Sequence, residues 1–523
     1  MRQYEMFELC ITAGGEIGEM SVEFELDGAC TLQKCFYDGG GVYKARYLPE
    51  RTGVCRWKTV GAISVSGQEE CMPAEHGRHG RIKAVGTHFE YADGTYYYPF
   101  GTTVYALAHQ SDELVRKTLS SLKNSPFNKV RFCVFPKHYD FNHNEPPFFA
   151  FERDGDGKWD VSKPCYAFWH RFEGIISALG DMGIECDIIL FHPYDRWGFS
   201  RLSKQDSIAY LELLLRRLSA FPNVWWSMAN EYDLMDNYTK DDFADFARYI
   251  RKNDNFGHLL SCHNCFDYFD FSQPEITHCS VQDIFVSEAV ELKKKYNKPV
   301  VYDECCYEGN IEYGWGNISA RELTDRFWTA VVNGGYCTHG ETYLSDDEVL
   351  WWAKGGTLKG ESPKRIAFLR EISEALPSPI EYLEEGVGRL TEEMILGYKK
   401  NGIPKNLKTD FWVKGLTSLP DERIKGFILR SRGVCGHCGD DAFIWYYGRS
   451  CPAFCHILLP ENSRYRVEVI DTWEMTRKTV LENVCGRLKI ALSSKEGMAV
   501  LATKTDAYIV VSRGLLSVAV LIA

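Results

Sequence analysis

Glu231 and Glu304 are the residues best placed to do chemistry, because each follows a short apolar run. Residues 224–226 lead towards Asn230 and Glu231, and residues 300–303 lead directly into Glu304. Glycoside hydrolysis needs two facing carboxyl groups: one protonates the leaving oxygen, and the other attacks the anomeric carbon or activates water. Their like charges raise one pKa, so one group can stay protonated near neutral pH. The two residues therefore predict hydrolysis of a glycosidic bond.

The elements around Glu231 fit an α/β fold. Helical spacing over 206–221 and 241–250 flanks the apolar run on both sides. Helix, buried strand and helix form one step of an α/β barrel or of a doubly wound sheet. In both folds the C-terminal ends of the strands carry the chemistry, and Glu231 lies at such an end.

Residues 87–378 predict a (β/α)8 TIM barrel, because eight strand-like runs alternate there with helical ones and such a barrel takes about 250 residues. Glu231 and Glu304 would follow the fourth and seventh strands, about three βα units apart, and would therefore face each other across the mouth. The runs are 101–107, 129–135, 185–191, 224–229, 259–263, 278–281, 300–303 and 335–339.

Polar and aromatic side chains gather at the predicted strand ends and in the loops that follow them. A long inserted loop, 138–165, adds more of them. Glu308 and Glu341 lie further past their strands than Glu304 does, so we rank them behind it as carboxylates for the reaction. The candidate substrate-binding residues are Arg131, His138, His192, Tyr194, Trp197, Asn230, His263, Gln282, Tyr307, His339, Glu341 and Trp351.

Two further domains flank the predicted barrel. Short alternating runs in residues 1–86 predict an Ig-like β-sandwich, and those in 379–523 predict a second β-sandwich that includes strands at 508–511 and 515–523. The first domain is either a carbohydrate-binding module or a structural one. We favour the structural role, since the sequence identifies no exposed aromatic platform.

Composition excludes several classes of protein. At 523 residues the chain is expected to form two or three domains. A net charge of -12 argues against a nucleic-acid partner, which needs a basic surface. No apolar signal region or membrane span is visible, so we expect a cytoplasmic protein whose 19 cysteines are reduced thiols. Whether it forms a homo-oligomer stays open.

Metal sites are a weaker interpretation, and the predicted chemistry needs no cofactor. Cys435, Cys438, Cys451 and Cys455 have zinc-like spacing, although reduced thiols are the simpler explanation. Residues 154–159 fail the pattern of a calcium loop and favour a tight turn. A metal-dependent barrel hydrolase would use the following histidines, which lack paired ligand spacing: His138, His192, His263 and His339.

Asn230-Glu231 on the fourth strand with Glu304 on the seventh resembles the clan A retaining glycoside hydrolases, which include family 5. The runs 188–199 and 225–233 resemble more closely the apiosidase-like barrel of bacterial glycosidases in family 140. Residues 35–43 resemble their Ig-like domain, and 469–475 resemble their C-terminal β-domain.

This resemblance implies that Glu231 is the acid/base and Glu304 the nucleophile of a retaining glycosidase. It also implies that three residues support the pocket: Arg131, His192 and Asn230. The eighth strand departs from the pattern, because Thr338-His339-Gly340-Glu341 stands where a pocket tryptophan is usual. The tryptophans that could replace it are Trp315, Trp351 and Trp352.

The expected substrate is a small oligosaccharide or glycoside, attacked from its end. Apiose, arabinose, galactose and xylose units all fit this expectation. The alternative is a non-catalytic carbohydrate-binding protein on an inactive barrel, which would have lost one of the two carboxylates.

Overall fold

The computed structural model describes residues 1–383, 391–431 and 433–505. The chain forms two compact units, Met1–Tyr382 and Leu383–Ala523. Within the described residues, no helix combines the length and the apolar character needed to cross a membrane.

The first unit begins with a β-sandwich, as predicted. Two antiparallel sheets, in the orders β1-β5-β4 and β3-β2-β6-β7, enclose a core. Val22 and Phe24 alternate inward along β2, and Phe24 stacks on Tyr47 at 4.7 Å. The strands are β1 (Phe7–Thr12), β2 (Met20–Leu26), β3 (Ala29–Lys34), β4 (Phe36–Tyr37), β5 (Val42–Tyr47), β6 (Gly53–Gly61) and β7 (Ser66–Cys71).

A small antiparallel sheet of β8 (Ile82–Val85), β9 (His88–Tyr91) and β10 (Tyr96–Tyr97) leads into the barrel. Phe89 on β9 is fully buried against Trp225 and Tyr336, which begin two barrel strands. The small sheet therefore covers the N-terminal end of the barrel. Its strands are so short that the sequence pattern did not separate them from the flanking elements.

The rest of the first unit contains the eight barrel strands and five short additional strands. The strands are β11 (Phe100–Thr103), β12 (Lys129–Cys133), β13 (Phe151–Arg153), β14 (Trp159–Pro164), β15 (Glu185–Phe191), β16 (Val224–Ala229), β17 (Leu260–Ser261), β18 (Cys279–Gln282), β19 (Val300–Glu304), β20 (Glu308–Gly309), β21 (Tyr336–His339), β22 (Glu341–Thr342) and β23 (Glu381–Tyr382).

Eight of these strands form one parallel sheet in the order β17-β16-β15-β12-β11-β21-β19-β18. This is the order of a (β/α)8 barrel, and each of the eight predicted runs overlaps one of the strands. The seam between β17 and β18 is bridged by hydrogen bonds from Ser261 Oγ to the His278 carbonyl, at 2.6 Å, and from Thr277 N–H to the Leu260 carbonyl, at 2.9 Å. The predicted TIM-barrel fold is confirmed.

Helices follow seven of the eight barrel strands. In the described chain no helix separates β17 from β18, and residues 262–278 form a loop instead. The inserted loop after β12 contains the β13-β14 hairpin, whose turn is closed by N–H groups donating to Asp154 Oδ1. The helices are α1 (Asp112–Lys123), α2 (Tyr166–Asp181), α3 (Lys204–Leu218), α4 (Lys240–Asn253), α5 (Ala289–Tyr296), α6 (Ala320–Val332), α7 (Trp351–Lys354) and α8 (Ser362–Glu374).

The second unit begins with three helices that the sequence pattern did not predict. They are α9 (Glu392–Asn401), α10 (Phe411–Thr417) and α11 (Asp421–Ser431), and they pack around Ile395, Leu416 and Ile424.

Antiparallel sheets follow, as predicted, in the orders β24-β25-β30-β27-β28 and β26-β29. The predicted strands at 508–511 and 515–523 lie outside the described residues. The strands are β24 (Val434–Cys438), β25 (Ala442–Tyr447), β26 (Phe454–Leu459), β27 (Tyr465–Asp471), β28 (Thr476–Val484), β29 (Gly486–Ala491) and β30 (Met498–Lys504).

Candidate active site

Glu231 lies just past β16, and its side chain is buried at the mouth of the barrel. Its φ of 53° is in the left-handed region, which a residue other than glycine rarely adopts. Three side chains donate hydrogen bonds to its carboxylate. The Tyr194 hydroxyl and Asn230 Nδ2, at 3.1 Å, bind Oε2, and Gln282 Nε2 binds Oε1 at 3.3 Å.

Glu304 is the last residue of β19 and is joined to Glu231 through two other residues. The Tyr105 hydroxyl donates to Glu304 Oε1 and also lies 2.9 Å from Asn230 Oδ1. Arg131 Nη1 is 3.7 Å from Glu304 Oε1, and its Nη2 is 3.4 Å from Asn230 Oδ1. Because Asn230 also binds Glu231, the two carboxylates share one hydrogen-bonded network.

The pair of carboxylates favours holding a proton near neutral pH. Burial and then the charge of Glu231 raise the pKa of Glu304 to about 7. Arg131, Lys137 and the hydroxyl of Tyr105 oppose this rise. Since the two groups interact closely, the proton belongs to the pair as a whole.

Lys137 brings a buried cation next to this pair. Its Nζ lies 3.5 Å from the centre of the Tyr105 ring, 4.1 Å from that of Tyr194 and 4.9 Å from that of Trp352. Burial lowers the pKa of Lys137, and the charges of Glu231 and Glu304 act in the opposite direction. The sequence placed Lys137 at a strand end but did not single it out as a site residue.

Trp352, Trp315, Tyr139 and Phe141 form an aromatic wall beside Lys137. The Trp352 ring lies 5.0 Å from Trp315 and 5.3 Å from Tyr105, centre to centre. Its indole N–H is buried and has no hydrogen-bond partner within the described chain. Among the three tryptophans considered for the pocket, Trp352 is therefore the one beside the network of Tyr105, and Trp315 packs behind it.

A layer of charged residues lies beneath the carboxylates, inside the barrel. Lys129 Nζ binds Asp187 Oδ2 at 2.7 Å and Asp303 Oδ1 at 2.6 Å. Arg131 Nε lies 3.5 Å and 3.8 Å from the same two oxygens. Although burial opposes the effect, Lys129 and Arg131 hold the pKa of Asp303 well below its usual range. These ion pairs hold the Arg131 side chain at Nε, while its Nη1 approaches Glu304.

Two of the predicted histidines border the network as neutral rings. His263 Nδ1 accepts the Glu231 N–H at 3.4 Å, so its Nε2 carries the proton and faces Glu304 Oε1 at 4.0 Å. Burial lowers the pKa of His263 well below its usual value. His192 bonds the Phe135 carbonyl at 3.1 Å, and burial together with Lys137 lowers its pKa to about 4.

Tyr307, one of the candidate substrate-binding residues, also lies beside Glu304. Its ring packs on Trp352 at 6.0 Å, and burial followed by the charge of Glu304 raises the pKa of its hydroxyl well above the usual value. A side chain at Gly340 would collide with this ring, since its Cβ would lie 2.4 Å from Tyr307 Cδ1. Gly340 therefore makes room for Tyr307 beside the site.

Other predicted residues lie apart from the two carboxylates. His138 and Trp197 pack together in the loops, where Trp197 Nε1 donates to Glu145 at 2.8 Å. Trp351 is buried and donates to Thr102 Oγ1 at 2.9 Å. None of the described hydrogen bonds or ion pairs joins these side chains to Glu231 or Glu304.

His339 and Glu341 meet Glu308 in a separate buried cluster. His339 bonds Thr102 through Nδ1 and faces Glu341 with Nε2. Among the described residues, this is the only group of three whose ligand atoms could hold a metal ion. The four cysteines with zinc-like spacing do not form such a group there, and no disulfide bond joins two cysteines within the described residues.

Comparison with known proteins gives two family matches. Residues 84–375 match the family model described as apiosidase-like, catalytic domain. Residues 432–503 match a domain of unknown function, DUF5605. No curated protein matches the chain.

Two solved structures show how far the similarity extends. A "putative glycoside hydrolase" from Bacteroides vulgatus is 32% identical, with 96% of this chain and 99% of that one covered at a TM-score of 0.83. A family 5 glycoside hydrolase from the same species is 13% identical, with 81% and 94% covered at a TM-score of 0.56, and shows the fold alone.

Proposed function

Because the chain belongs to the family of apiosidase-like catalytic domains, we propose that it is a retaining glycoside hydrolase with Glu231 as acid/base and Glu304 as nucleophile. One observation carries the proposal. The carboxylates of Glu231, which is buried, and Glu304, which is partly buried, lie at the ends of the fourth and seventh strands of the barrel and are connected through Asn230 and Tyr105. The like charges of the pair and its burial favour the single proton that a retaining mechanism needs.

In the first step, Glu304 attacks the anomeric carbon while Glu231 gives its proton to the departing oxygen. Arg131 and Tyr105 stabilise the ionised form of Glu304 before the attack. Tyr194 and Gln282 hold the carboxyl group of Glu231 in place. The products of this step are the free aglycone and a glycosyl ester on Glu304.

In the second step, Glu231 acts as a base and takes a proton from water, which attacks the anomeric carbon. The ester bond to Glu304 breaks, and the sugar leaves with its original configuration. His263 is neutral, and its Nε2–H faces Glu304 Oε1, so it can donate to the carboxylate as it is released.

The surroundings of the pair support a small sugar substrate attacked from its end. The aromatic wall offers ring faces on which the C–H face of a sugar can stack. The indole N–H of Trp352 and the charged Nζ of Lys137 can donate hydrogen bonds to sugar hydroxyl groups. The long inserted loop carries Tyr139 and Phe141, whose rings pack on Trp352, and a wall on that side favours a pocket over an open cleft.

A panel of aryl glycosides tests the proposal with the native chain, Glu231→Ala and Glu304→Gly. We expect the native chain to hydrolyse at least one glycoside. Both variants should lose about 10³-fold or more in kcat for a glycoside whose leaving group needs protonation. Azide added to Glu231→Ala should restore turnover and yield a glycosyl azide of retained configuration.

The matched control is Glu312→Gln, which changes an exposed carboxylate in the loop after β19 and should keep native activity. Turnover unaffected by substitution of Glu231 and Glu304 would refute the assigned roles. A glycosyl azide of inverted configuration would refute the covalent intermediate. A chain that binds oligosaccharides but hydrolyses none would instead support a carbohydrate-binding protein on an inactive barrel.

A further inference from the structure

Glu308, His339 and Glu341 form a cluster that the proposed reaction does not use. Glu308 on β20 and Glu341 on β22 are direct neighbours in a short parallel pair of strands. His339 is the last residue of β21. All three side chains are at most 1% exposed. The cluster is therefore a closed, polar site of two carboxylates and one imidazole.

Backbone N–H groups orient both carboxylates. Glu308 accepts hydrogen bonds from Glu361 N–H at 2.7 Å and Ser362 N–H at 3.1 Å. Glu341 accepts from Lys359 N–H and from Gly360 N–H at 2.8 Å. These N–H groups neutralise only part of the negative charge. In the described chain no lysine or arginine side chain forms an ion pair with either carboxylate.

Gly360 allows the two carboxylates to converge on one point. A Cβ at this position would lie 2.6 Å from Oε2 of Glu308 and 2.6 Å from Oε2 of Glu341. The two oxygens therefore approach the same point of the backbone, and a larger residue at position 360 would displace both of them.

His339 supplies a second, independent observation that points to a ligand. Its Nε2 is buried, has no hydrogen-bond partner among the described residues and faces Glu341 Oε2 at 3.9 Å. Its Nδ1 lies 2.9 Å from Thr102 Oγ1, which fixes the plane of the ring. Histidines that bind metals are typically oriented in this way through their other ring nitrogen.

We propose that Glu308, His339 and Glu341 bind a divalent first-row transition-metal ion. Their ligand atoms all lie within 4.8 Å of one another. Donors about 2.1 Å from a common ion stand about 3 to 3.4 Å apart, so a small rotation of the carboxylates completes the site. An imidazole with two carboxylates suits Mn²⁺, Fe²⁺ or Zn²⁺ better than Ca²⁺ or Mg²⁺, which prefer oxygen ligands alone.

The ion would hold together three parts of the barrel mouth. Glu308 belongs to the segment that follows Glu304. His339 ends the eighth barrel strand, and Glu341 follows it on β22. The N–H donors of both carboxylates lead into α8. Tyr307, which packs beside Glu304, directly precedes Glu308. The site is thus structural, and the ion takes no part in bond cleavage.

Mn²⁺ is the probe of choice for a test on the full chain, because thiolates of the 19 cysteines would compete for softer ions. The chain is freed of metal with a chelator and titrated with Mn²⁺, while free Mn²⁺ is followed by electron paramagnetic resonance. We expect one bound Mn²⁺ per chain and a thermal midpoint raised by about 3–5 °C. Glu341→Gln and His339→Gln should each weaken binding at least about tenfold, whereas Glu312→Gln should not.

Equal binding by the native chain, Glu341→Gln and His339→Gln would overturn the proposal, and so would a native chain that binds no Mn²⁺. If both variants fail to fold, Mn²⁺ binding by the native chain still tests the proposal. A hyperfine coupling between bound Mn²⁺ and an imidazole nitrogen supports the site, and its absence overturns it.

Discussion

At the scale of single residues, the candidate site places two carboxylates where they are largely shielded from water. Glu231 is 6% exposed, and Glu304 is surrounded by Tyr105, Arg131 and Tyr307. Burial penalises the charged form of a carboxyl group, and a neighbouring like charge adds to that penalty. The arrangement suits a proton donor, but it lowers the stability of the fold at alkaline pH.

Replacing Glu304 with Gln should therefore stabilise the chain at alkaline pH. The pKa of Glu304 is raised in the folded chain to about 7, so its contribution to stability is fully present below its ordinary value and is lost as pH rises through 7. Gln cannot ionise and avoids that loss. At about pH 8 we expect the variant to gain about 2–3 kcal/mol in the free energy of unfolding.

Urea denaturation at about pH 5 and about pH 8 measures this difference, and at the lower pH the gain should shrink to about 1 kcal/mol or less. Glu312→Gln is the control for loss of a surface carboxylate. A gain of equal size at both pH values would show that packing, and not ionisation, causes the effect.

Replacing Lys137 with Met should move the alkaline limb of the activity profile to higher pH. The positive charge of Lys137 favours the ionised form of Glu304, so its removal lets the pair keep its proton for longer. We expect the midpoint of the alkaline limb of kcat/KM to shift upward by about half to one pH unit. Lys163→Met, in the exposed hairpin of the inserted loop, should leave the limb unchanged. A limb that moves to lower pH would contradict the placement of this charge.

The residues at strand ends could be predicted from the sequence more readily than the direction in which their side chains point. Glu231, Asn230 and Glu304 follow buried strands, and the structure brings them together. His339 was expected in the same pocket, but Thr338 is the residue of β21 that faces Asp303 inside the barrel, so the next side chain points outward. A shift of one residue along a strand moves a side chain to the opposite face of the sheet. A short strand buried on both faces has no alternation of polar and apolar residues that would show which side chains point inward.

At the scale of elements, the parallel strands of the barrel meet in a charged layer beneath the site. Lys129 of β12 binds Asp187 of β15 and Asp303 of β19, and Asp303 also accepts from Thr338 of β21 at 2.8 Å. Gly101 of β11 leaves room for this layer, since a Cβ there would lie 2.8 Å from Thr338 Oγ1. The side chains thus tie together strands that are distant in sequence.

Replacing Lys129 with Met should destabilise the barrel strongly. In the variant, the buried carboxylates of Asp187 and Asp303 have only Arg131 as a shared cation. Breaking a buried charge cluster typically costs about 3–5 kcal/mol. Urea denaturation followed by tryptophan fluorescence measures the loss. Lys58→Met removes an exposed lysine from the sandwich and should cost no more than about 0.5 kcal/mol. A loss below about 1 kcal/mol for Lys129→Met would mean that the layer does not hold the strands.

The long elements of the barrel could be predicted, because a strand buried on both faces is a continuous apolar run. The helices α9 to α11 could not, because each buries few residues, and within the described part of the chain their cluster has three buried members. Their short amphipathic pattern resembles that of loops and edge strands. The β8–β10 sheet was missed for the same reason, since its position depends on Phe89 packing under residues distant in sequence.

At the scale of the whole molecule, buried ion pairs connect the N-terminal sandwich to the barrel. Arg46 of β5 binds Glu173 of α2 at 2.8 Å. Arg217 of α3 binds the same carboxylate at 2.6 Å and Asp38 of the sandwich at 2.9 Å. The Phe36 ring lies 4.9 Å from the Arg46 guanidinium and 4.4 Å from that of Arg217. These contacts support the structural role for the sandwich, and its residues include no aromatic side chain among the large exposed hydrophobic ones.

Replacing Glu173 with Gln tests this role, because it leaves two buried guanidinium groups, Arg46 and Arg217, without their shared carboxylate. We expect the free energy of unfolding to fall by about 3–5 kcal/mol, while kcat/KM of the folded variant stays at the native value. Glu212→Gln is the matched control, since Glu212 of α3 also bridges to the sandwich through Lys34 but is 30% exposed. That variant should lose less than about 1 kcal/mol. Equal losses in the two variants would mean that apolar packing, and not the buried charges, fixes the sandwich on the barrel.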